Sequence, residues 1–240
     1  MLRDENAIRV SDAAAELDVA RSTAHRLLAM LVYRGFAVQD ESRRYLPGLG
    51  IGVSPVLDSW TNTLRMESMP YLERLRDETG ETVHLTVRVS DRVRFLETVE
   101  SRASLKVGDL KGAVLTAHRT ASGMVSLAEL RDEELALMYR SKNEGVGTYL
   151  EKREFTALMQ RLVETRRAGY ATNRGLAEPG VGSIGFSLRL PSGRGIAALT
   201  VASPLTRLYR LTTPEGLRHC LDAVAKIDEE IRRQGIDLQS

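Results

Sequence analysis

Cysteine occurs once in the 240-residue chain, as Cys220, so no intrachain disulfide can form and a cysteine-rich metal site is excluded. That usage fits a reducing compartment. Long apolar runs are also missing: none approaches the roughly 20 residues of a membrane helix, and the opening stretch MLRDENAIRV lacks the apolar segment of a secretion signal. The expected location is the cytoplasm, with no membrane partner. Proline is sparse, and 42% apolar with 28% charged residues is the composition of a globular protein rather than a disordered or fibrous one. Charge of one sign is not in excess either. Lys and Arg number 34 against 32 Asp and Glu, a net +2 that excludes a polybasic tail and leaves room for a local basic face. The length allows one large domain or two smaller ones.

What is present begins with SDAAAELDVARSTAHRLLAMLVYRGF, residues 11–36. Ser11 as a capping hydroxyl, early acidic residues and three alanines predict a short helix with Leu17 on its buried side. A second helix is expected from about Arg21 to Arg34, ended by Gly35, where a left-handed cap is easy. Ala24, Leu27, Leu28 and Leu31 recur at i, i+3, i+4 and i+7, one helical face. Ser22, Arg26, Ala29 and Tyr33 point the other way, with Thr23 and His25 on the flanks. Two such helices and a short turn describe a helix-turn-helix. Behind it FAVQ and RRYL, separated by DES, form a hairpin, a wing.

In that geometry the second helix enters the major groove of double-stranded DNA. His25 and Arg26 are placed to reach base edges, with Arg21, Ser22 and Thr23 close to the backbone. Arg43 and Arg44 on the wing would follow a neighbouring phosphate run or the minor groove. The same charges on one isolated helix would equally describe a solvated face; the capped helix before them and the basic hairpin after them favour DNA. A winged helix ordinarily starts with a further helix. Only MLRDENAIR precedes Val10, so the first helix is expected to be shortened, with Leu2 and Ile8 capping the core.

After Pro47 the pattern predicts a connecting helix from about Pro55 to Ser68, carrying Val56, Leu57, Trp60 and Leu64. Trp60, the single tryptophan, serves either domain packing or a dimer contact. MPYLERLRDETG reads as another helix, with Pro70 at its start and Gly80 at its end. ETVHLTVRVSDRVRFLETVES alternates apolar and polar residues across an SDR turn, a β-hairpin signal. Helical patterns follow in TAHRTASGMVSLAEL, RDEELALMYR and REFTALMQRLVETRRAG. YATN, GSIGFSLRL and GRGIAALTVAS read as strands, the last two joined by PSGR, and PEGLRHCLDAVAKIDEEIRRQG closes the chain as an amphipathic helix. Hairpin strands with helices gathered between them predict an α+β fold rather than a doubly wound one. The expected units are a DNA-binding domain over 1–48, a linker helix over 49–68 and a sheet domain over 69–240.

STAHRLLAML, GFAVQDESRRYLPG, YLERLRDETGETVHL, the H-x-T-A-x-G run from His118 to Gly123, AGYATN, PGVGSIGFSL and AALTVASPLTRL occur in the order and spacing of one family. The chain resembles the isocitrate lyase regulator (IclR-type) family of bacterial transcription factors over nearly its whole length. The resemblance implies a winged helix-turn-helix, a linker helix and a GAF-like effector-binding domain. It also implies a homodimer or dimer of dimers on a palindromic operator, with a small effector, often an organic or aromatic acid. The positions that match the family's effector site are His118, Ala121, Ser122, Gly123, Asn173, Ser183, Thr200 and Ala202. Hydroxyls, an amide and backbone N–H groups at a helix start would hold a carboxylate there. Met124, Asn173 and Ser183 depart from the family's usual lysine, acid and cysteine, so the effector class stays open.

No metal or cofactor is expected, because His84 and His118 have no spaced acidic or thiol partner and read as structural. Catalysis is not expected either: His219 and Cys220 are adjacent and point about 100° apart on a helix, and GVGSIG precedes a strand instead of opening a helix after one. The remaining alternative is a DNA-binding protein whose second domain only dimerises, without a ligand.

Overall fold

The computed structural model describes residues 8–33, 37–39, 43–47, 55–140 and 148–235. Helices α1 (Val10–Glu16) and α2 (Arg21–Tyr33) are followed by strands β1 (Ala37–Gln39) and β2 (Tyr45–Pro47). Arg9, not Ser11, occupies the N-cap of α1; the Asp12 carboxylate accepts its backbone N–H at 2.8 Å, so an acid inside the first turn takes over the work expected of the serine. Leu17 is the C-cap residue and is 52% exposed, because the chain turns away before its side chain can join the core. Asp18, in the left-handed region at φ 47°, makes that turn. On α2, Ala24 and Leu28 are buried and Leu31 half-buried, whereas Leu27 lies at the edge of the face and is exposed. Ile8 joins the wing: its backbone exchanges two hydrogen bonds with Tyr45 at 2.9 and 2.7 Å, and both side chains are buried. The Gly35 stop, the DES turn and Leu2 lie outside the described residues.

Helix α3 runs from Pro55–Thr79 as one piece. The break expected between Ser68 and Pro70 does not occur, and the anticipated boundary at residue 68 falls inside the helix. Proline inside a helix removes one hydrogen bond and crowds the carbonyl four residues back, here Met66. Both residues are exposed, so water can serve that carbonyl. Thr61, Leu64, Ser68, Leu72 and Leu75 form a buried stripe that passes the proline on the other side and holds the two halves in line.

Strands β3 (Thr82–Val89), β4 (Arg92–Val99), β5 (Val114–Thr116), β6 (Ala171–Arg174), β7 (Val181–Arg189) and β8 (Gly195–Pro204) form one antiparallel sheet, ordered β5-β4-β3-β8-β7-β6. The helices between and after them are α4 (Ala121–Ala128), α5 (Asp132–Arg140), α6 (Lys152–Ala168), α7 (Leu208–Leu211) and α8 (Pro214–Arg233). The region expected to be one helix around TAHRTASGM instead divides into the edge strand β5, a 3-10 turn at Ala117–Arg119 and α4, whose N-cap Thr120 accepts the Gly123 N–H at 3.0 Å. Because side chains alternate along a strand, the sheet has two distinct faces. Val83, Leu85, Ile184, Phe186, Leu199 and Val201 pack with α3 and α8; Phe95, Ala171 and Ala198 pack with α4, α5 and α6.

Candidate DNA-reading helix and ligand-binding sheet face

Arg21, Ser22, His25 and Arg26 are all exposed on α2, and Thr23 is half-buried beside them. The buried positions Ala24 and Leu28 lie on the opposite side, so the cations stand on the solvent side of a helix anchored from behind. The first turn of α2 is bonded to the Ala20 carbonyl through the Thr23 and Ala24 N–H groups. Ala20 has no side-chain oxygen to cap it, which leaves the leading amides of α2 to solvent or to an anion. Arg43 and Arg44 are exposed on the wing, Arg43 in the left-handed region at φ 58°.

The second site is a surface of strand pairs. Across β6, β7, β8 and β3, Asn173 pairs with Ser183, Ser183 with Ala202, and Ala202 with Thr82. One step along, Ala171, Gly185, Thr200, His84 and Thr98 make a second row. The two rows share the face that carries α4. A one-residue bulge at Leu96 shifts the register of β4, which brings Phe95 and Thr98 onto that same face. Gly185 is glycine for a steric reason: a Cβ there would stand 2.8 Å from the Ala121 carbonyl carbon and 3.0 Å from the Ser122 nitrogen. The start of α4 thus lies directly on the sheet. Gly182 is filled likewise by Leu208, so Gly182 and Gly185 of GVGSIG serve close packing within β7, while Gly180 ahead of it takes a left-handed turn at φ 83°.

The expected effector positions are not all equally free. Ala121, Ser122, Gly123, Asn173, Thr200 and Ala202 are buried and Ser183 is half-buried, all around the two rows. The Asn173 amide is occupied: its nitrogen donates to the Arg119 carbonyl and its oxygen accepts the Leu176 N–H at 2.9 Å, tying β6 to the turn before α4. His118 sets its ring edge-on to Tyr139 of α5 at 5.4 Å, and its Nδ1 has no hydrogen-bond partner among the described residues. Burial and the nearby Arg119 and Arg161 hold it below the ordinary histidine range.

His84, read from sequence as structural, occupies the middle of the second row and is almost wholly buried. Its Nδ1 lies 3.0 Å from the Thr98 hydroxyl, and its Nε2 has no hydrogen-bond partner among the described residues. Burial pushes its pKa down to about 4, against a small opposing pull from Asp109. Thr200, beside it, is 5% exposed, and its Oγ1 has no partner among the described residues. No sequence signal singles out this histidine; only the missing partner does. The segment after β4 is tied down over this end of the sheet: Thr82 Oγ1 donates to the Val107 carbonyl at 2.7 Å, and the Leu110 N–H donates to Thr98 Oγ1 at 3.3 Å. Arg207 clamps Glu81 through two bonds of 2.5 and 2.8 Å and also donates to the Leu105 carbonyl.

Residues 60–229 match the family described as Bacterial transcriptional regulator IclR C-terminal, and residues 2–41 match the IclR helix-turn-helix domain. The chain belongs to the IclR family of bacterial transcriptional regulators. Among relatives of this IclR-family chain, the HTH-type transcriptional regulator BhcR of Paracoccus denitrificans is 28% identical over 207 residues, covering 84% of this chain and 72% of that protein. The HTH-type transcriptional repressor AllR of Escherichia coli K12 is 25% identical over 201 residues, covering 83% and 74%. An IclR homolog from Microbacterium hydrocarbonoxydans, solved in complex with 4-hydroxybenzoate, shares the fold at a TM-score of 0.59 and 23% identity, covering 96% of this chain and 93% of that one. Thermotoga maritima IclR does so at 0.53 and 22%, covering 97% and 93%.

The curated relatives carry the names of regulators, not enzymes. Cys220 has the opposite of an activated thiol: it is buried and its pKa is pushed up to about 12. His219 turns instead to Glu78 of α3, at 3.2 Å. Among the described residues no group of three or more His, Cys, Asp or Glu side chains is arranged to hold a metal ion, and no helix is long and apolar enough to cross a membrane.

Proposed function

We propose that this IclR-family regulator binds a palindromic operator as a homodimer or dimer of dimers in the cytoplasm, and that a small organic or aromatic acid on the α4 face of the sheet sets its operator affinity. Arg26 and His25 read base edges, Arg21, Ser22 and Thr23 hold the backbone, and Arg43 and Arg44 contact phosphates beside the wing. The observation that carries the ligand half is the pair of strand rows on the α4 face, where Gly185, paired with Thr200, lies against the backbone of Ala121 and Ser122 at the start of α4. Backbone N–H groups at a helix start favour a carboxylate without a buried cation. The protein carries out no reaction on this acid; it binds and releases it.

A route from that site to the DNA is supported by Glu97, which is 7% exposed and accepts from two elements at once. Lys111, next to the segment that roofs the site, reaches it at 2.8 Å, and Arg65 of α3 at 3.3 Å. Movement of the roof would therefore change the pull on the helix that leads back toward the DNA-binding unit.

The test is a genomic-fragment pull-down with the purified protein, then footprinting at two salt concentrations. The expected result is a palindromic footprint whose affinity falls with salt. Arg26→Ala should weaken it by about tenfold, the value of one good base contact, with unchanged thermal unfolding; unchanged affinity would remove Arg26 from the reading surface. One observation favours a second reading, in which the sheet domain only dimerises: the Asn173 amide is already engaged within the protein through both its nitrogen and its oxygen. A footprint that no small acid alters would establish that reading.

A further inference from the structure

Helix α6 and the edge strand β6 leave between them a cavity of about 210 Å³, lined by Arg161, Glu164 and Thr165 of α6, Met124 of α4, and Ala171 and Thr172 of β6. None of the positions expected to hold the effector lines it. It is a separate place on the molecule, at the outer edge of the sheet. Its volume equals about seven waters and falls below the roughly 300 Å³ at which drug-sized pockets begin.

Arg161 is half-buried there and poorly compensated. Its Nη1 donates to the His118 carbonyl at 3.2 Å, while its Nη2 is buried without a hydrogen-bond partner among the described residues. No carboxylate among those residues forms an ion pair with it. Burial lowers its pKa, and the pull of Glu164 does not offset that. A guanidinium withdrawn from water without a counter-charge is costly, and its planar fork matches a carboxylate.

Glu164 follows three residues later on the same helix, a spacing at which opposite charges commonly pair. Here they stand apart. Glu164 is exposed, and among the described residues it has neither an ion pair nor a hydrogen bond. The Thr165 hydroxyl donates to the Arg161 carbonyl at 2.8 Å, which leaves its lone pairs free to accept. Met124 and Ala171 are buried and apolar. A plain anion in this cavity would be drawn to Arg161 and repelled by Glu164, and a plain cation the reverse. A small molecule carrying both charges satisfies both residues.

We propose that this cavity is a second binding site, for a free aliphatic amino acid whose carboxylate meets Arg161, whose ammonium meets Glu164 and Thr165, and whose side chain lies on Met124 and Ala171. The volume admits alanine, valine or leucine and excludes a peptide. This site stands whether or not an acid binds on the α4 face.

The experiment measures binding of L-alanine, L-valine and L-leucine to the whole chain by calorimetry. Two analogues of valine serve as comparators: 3-methylbutanoate, which lacks the ammonium, and 2-methylpropylamine, which lacks the carboxylate. At least one amino acid should bind, and each comparator should bind about tenfold or more weakly than L-valine, the value of one charged contact. Arg161→Gln and Glu164→Gln should each weaken the amino acid by about tenfold or more. Glu164→Gln should also bring 3-methylbutanoate and L-valine toward equal affinity, because the repulsion of the anion goes with the charge. Since Glu164 is exposed, that variant keeps the test alive if Arg161→Gln does not fold. Binding of none of the three amino acids, a comparator that binds as tightly as L-valine, or an affinity unchanged in Glu164→Gln would overturn the assignment.

Discussion

Leu199 and Thr200 are neighbours on β8, both buried, and they belong to different proteins in a physical sense. Leu199 lies on the face packed by α3 and α8, with Val83, Leu85, Ile184, Phe186 and Val201 around it. Thr200 lies on the face under α4, among His84, Thr86, Ser183 and Asn173. The first face is apolar at its centre, with Ser203 near a strand end and Glu97, paired with Leu85, as its buried polar residues. Its burial supplies stability through area removed from water. The second face retains polar groups that packing alone would replace with aliphatic ones, and Thr200, His84 and Ser187 each keep an atom without a partner among the described residues, against Ser203 alone on the strands of the first face. Polar groups held at such a cost mark a surface shaped for something other than stability.

The comparison breaks most directly at that pair. Leu199→Ala should cost about 2–5 kcal/mol in denaturant unfolding, the usual range for a fully buried leucine. Thr200→Val should stay within about 1 kcal/mol of the wild type, because it removes an unpaired hydroxyl without opening a cavity. Comparable losses from both would make the two faces equivalent and Thr200 structural.

The next largest effect is on pH dependence. His84 titrates near 6.5 when unfolded and about 4 when folded, so between those values the unfolded chain binds the extra proton. Stability should accordingly fall as pH drops from 6.5 toward 4, by roughly 3 kcal/mol from this group. His84→Asn should abolish that share, visible as unfolding curves of the two proteins that draw together in acid. Parallel curves would mean that His84 is solvated in the native state.

Gly185→Ala should cost about 1–3 kcal/mol, since the added methyl meets backbone at the start of α4 instead of a side chain that can swing aside. Ligand response should be lost with it, while the unliganded protein still footprints its operator. The smallest effect is expected at the link between sheet and helix α3. Glu97→Gln should leave ligand affinity unchanged and reduce the ligand-induced change in operator affinity by about 0.5–2 kcal/mol, read by repeating the footprint titration with saturating ligand. An undiminished response would take Glu97 out of the route.

Much of the fold was legible because local pattern and tertiary packing agree. Alternation in TVHLTVRV and RVRFLETV reads as a hairpin, and β3 and β4 pair as one. The 3.6-residue pattern of the closing helix survives in α8, with Cys220, Ala223, Ile227 and Ile231 on its buried side. Where the two disagreed, packing won. Pro70 announces a helix start by its own chemistry, yet the stripe from Thr61 to Leu75 carries α3 past it. Leu17 and Leu27 fit an apolar face on paper but sit where the small N-terminal unit has run out of neighbours. Ile8, in a stretch with no strand pattern of its own, is placed by the Tyr45 backbone across the wing.

The candidate site divides the same way. Residue type and order along the chain determined the basic helix, the wing and the strands, because helix and strand periods are local properties of the backbone, whereas the positions proposed to hold a ligand came from the resemblance to the family. Only the tertiary structure decided that Asn173 is occupied by Arg119 and Leu176, that His118 turns to Tyr139, and that His84 stands beside Thr200 with its Nε2 unpaired. Those outcomes depend on which hydrogen-bond partners arrive from strands and turns remote in sequence, and a side chain's own identity says nothing about who will meet it.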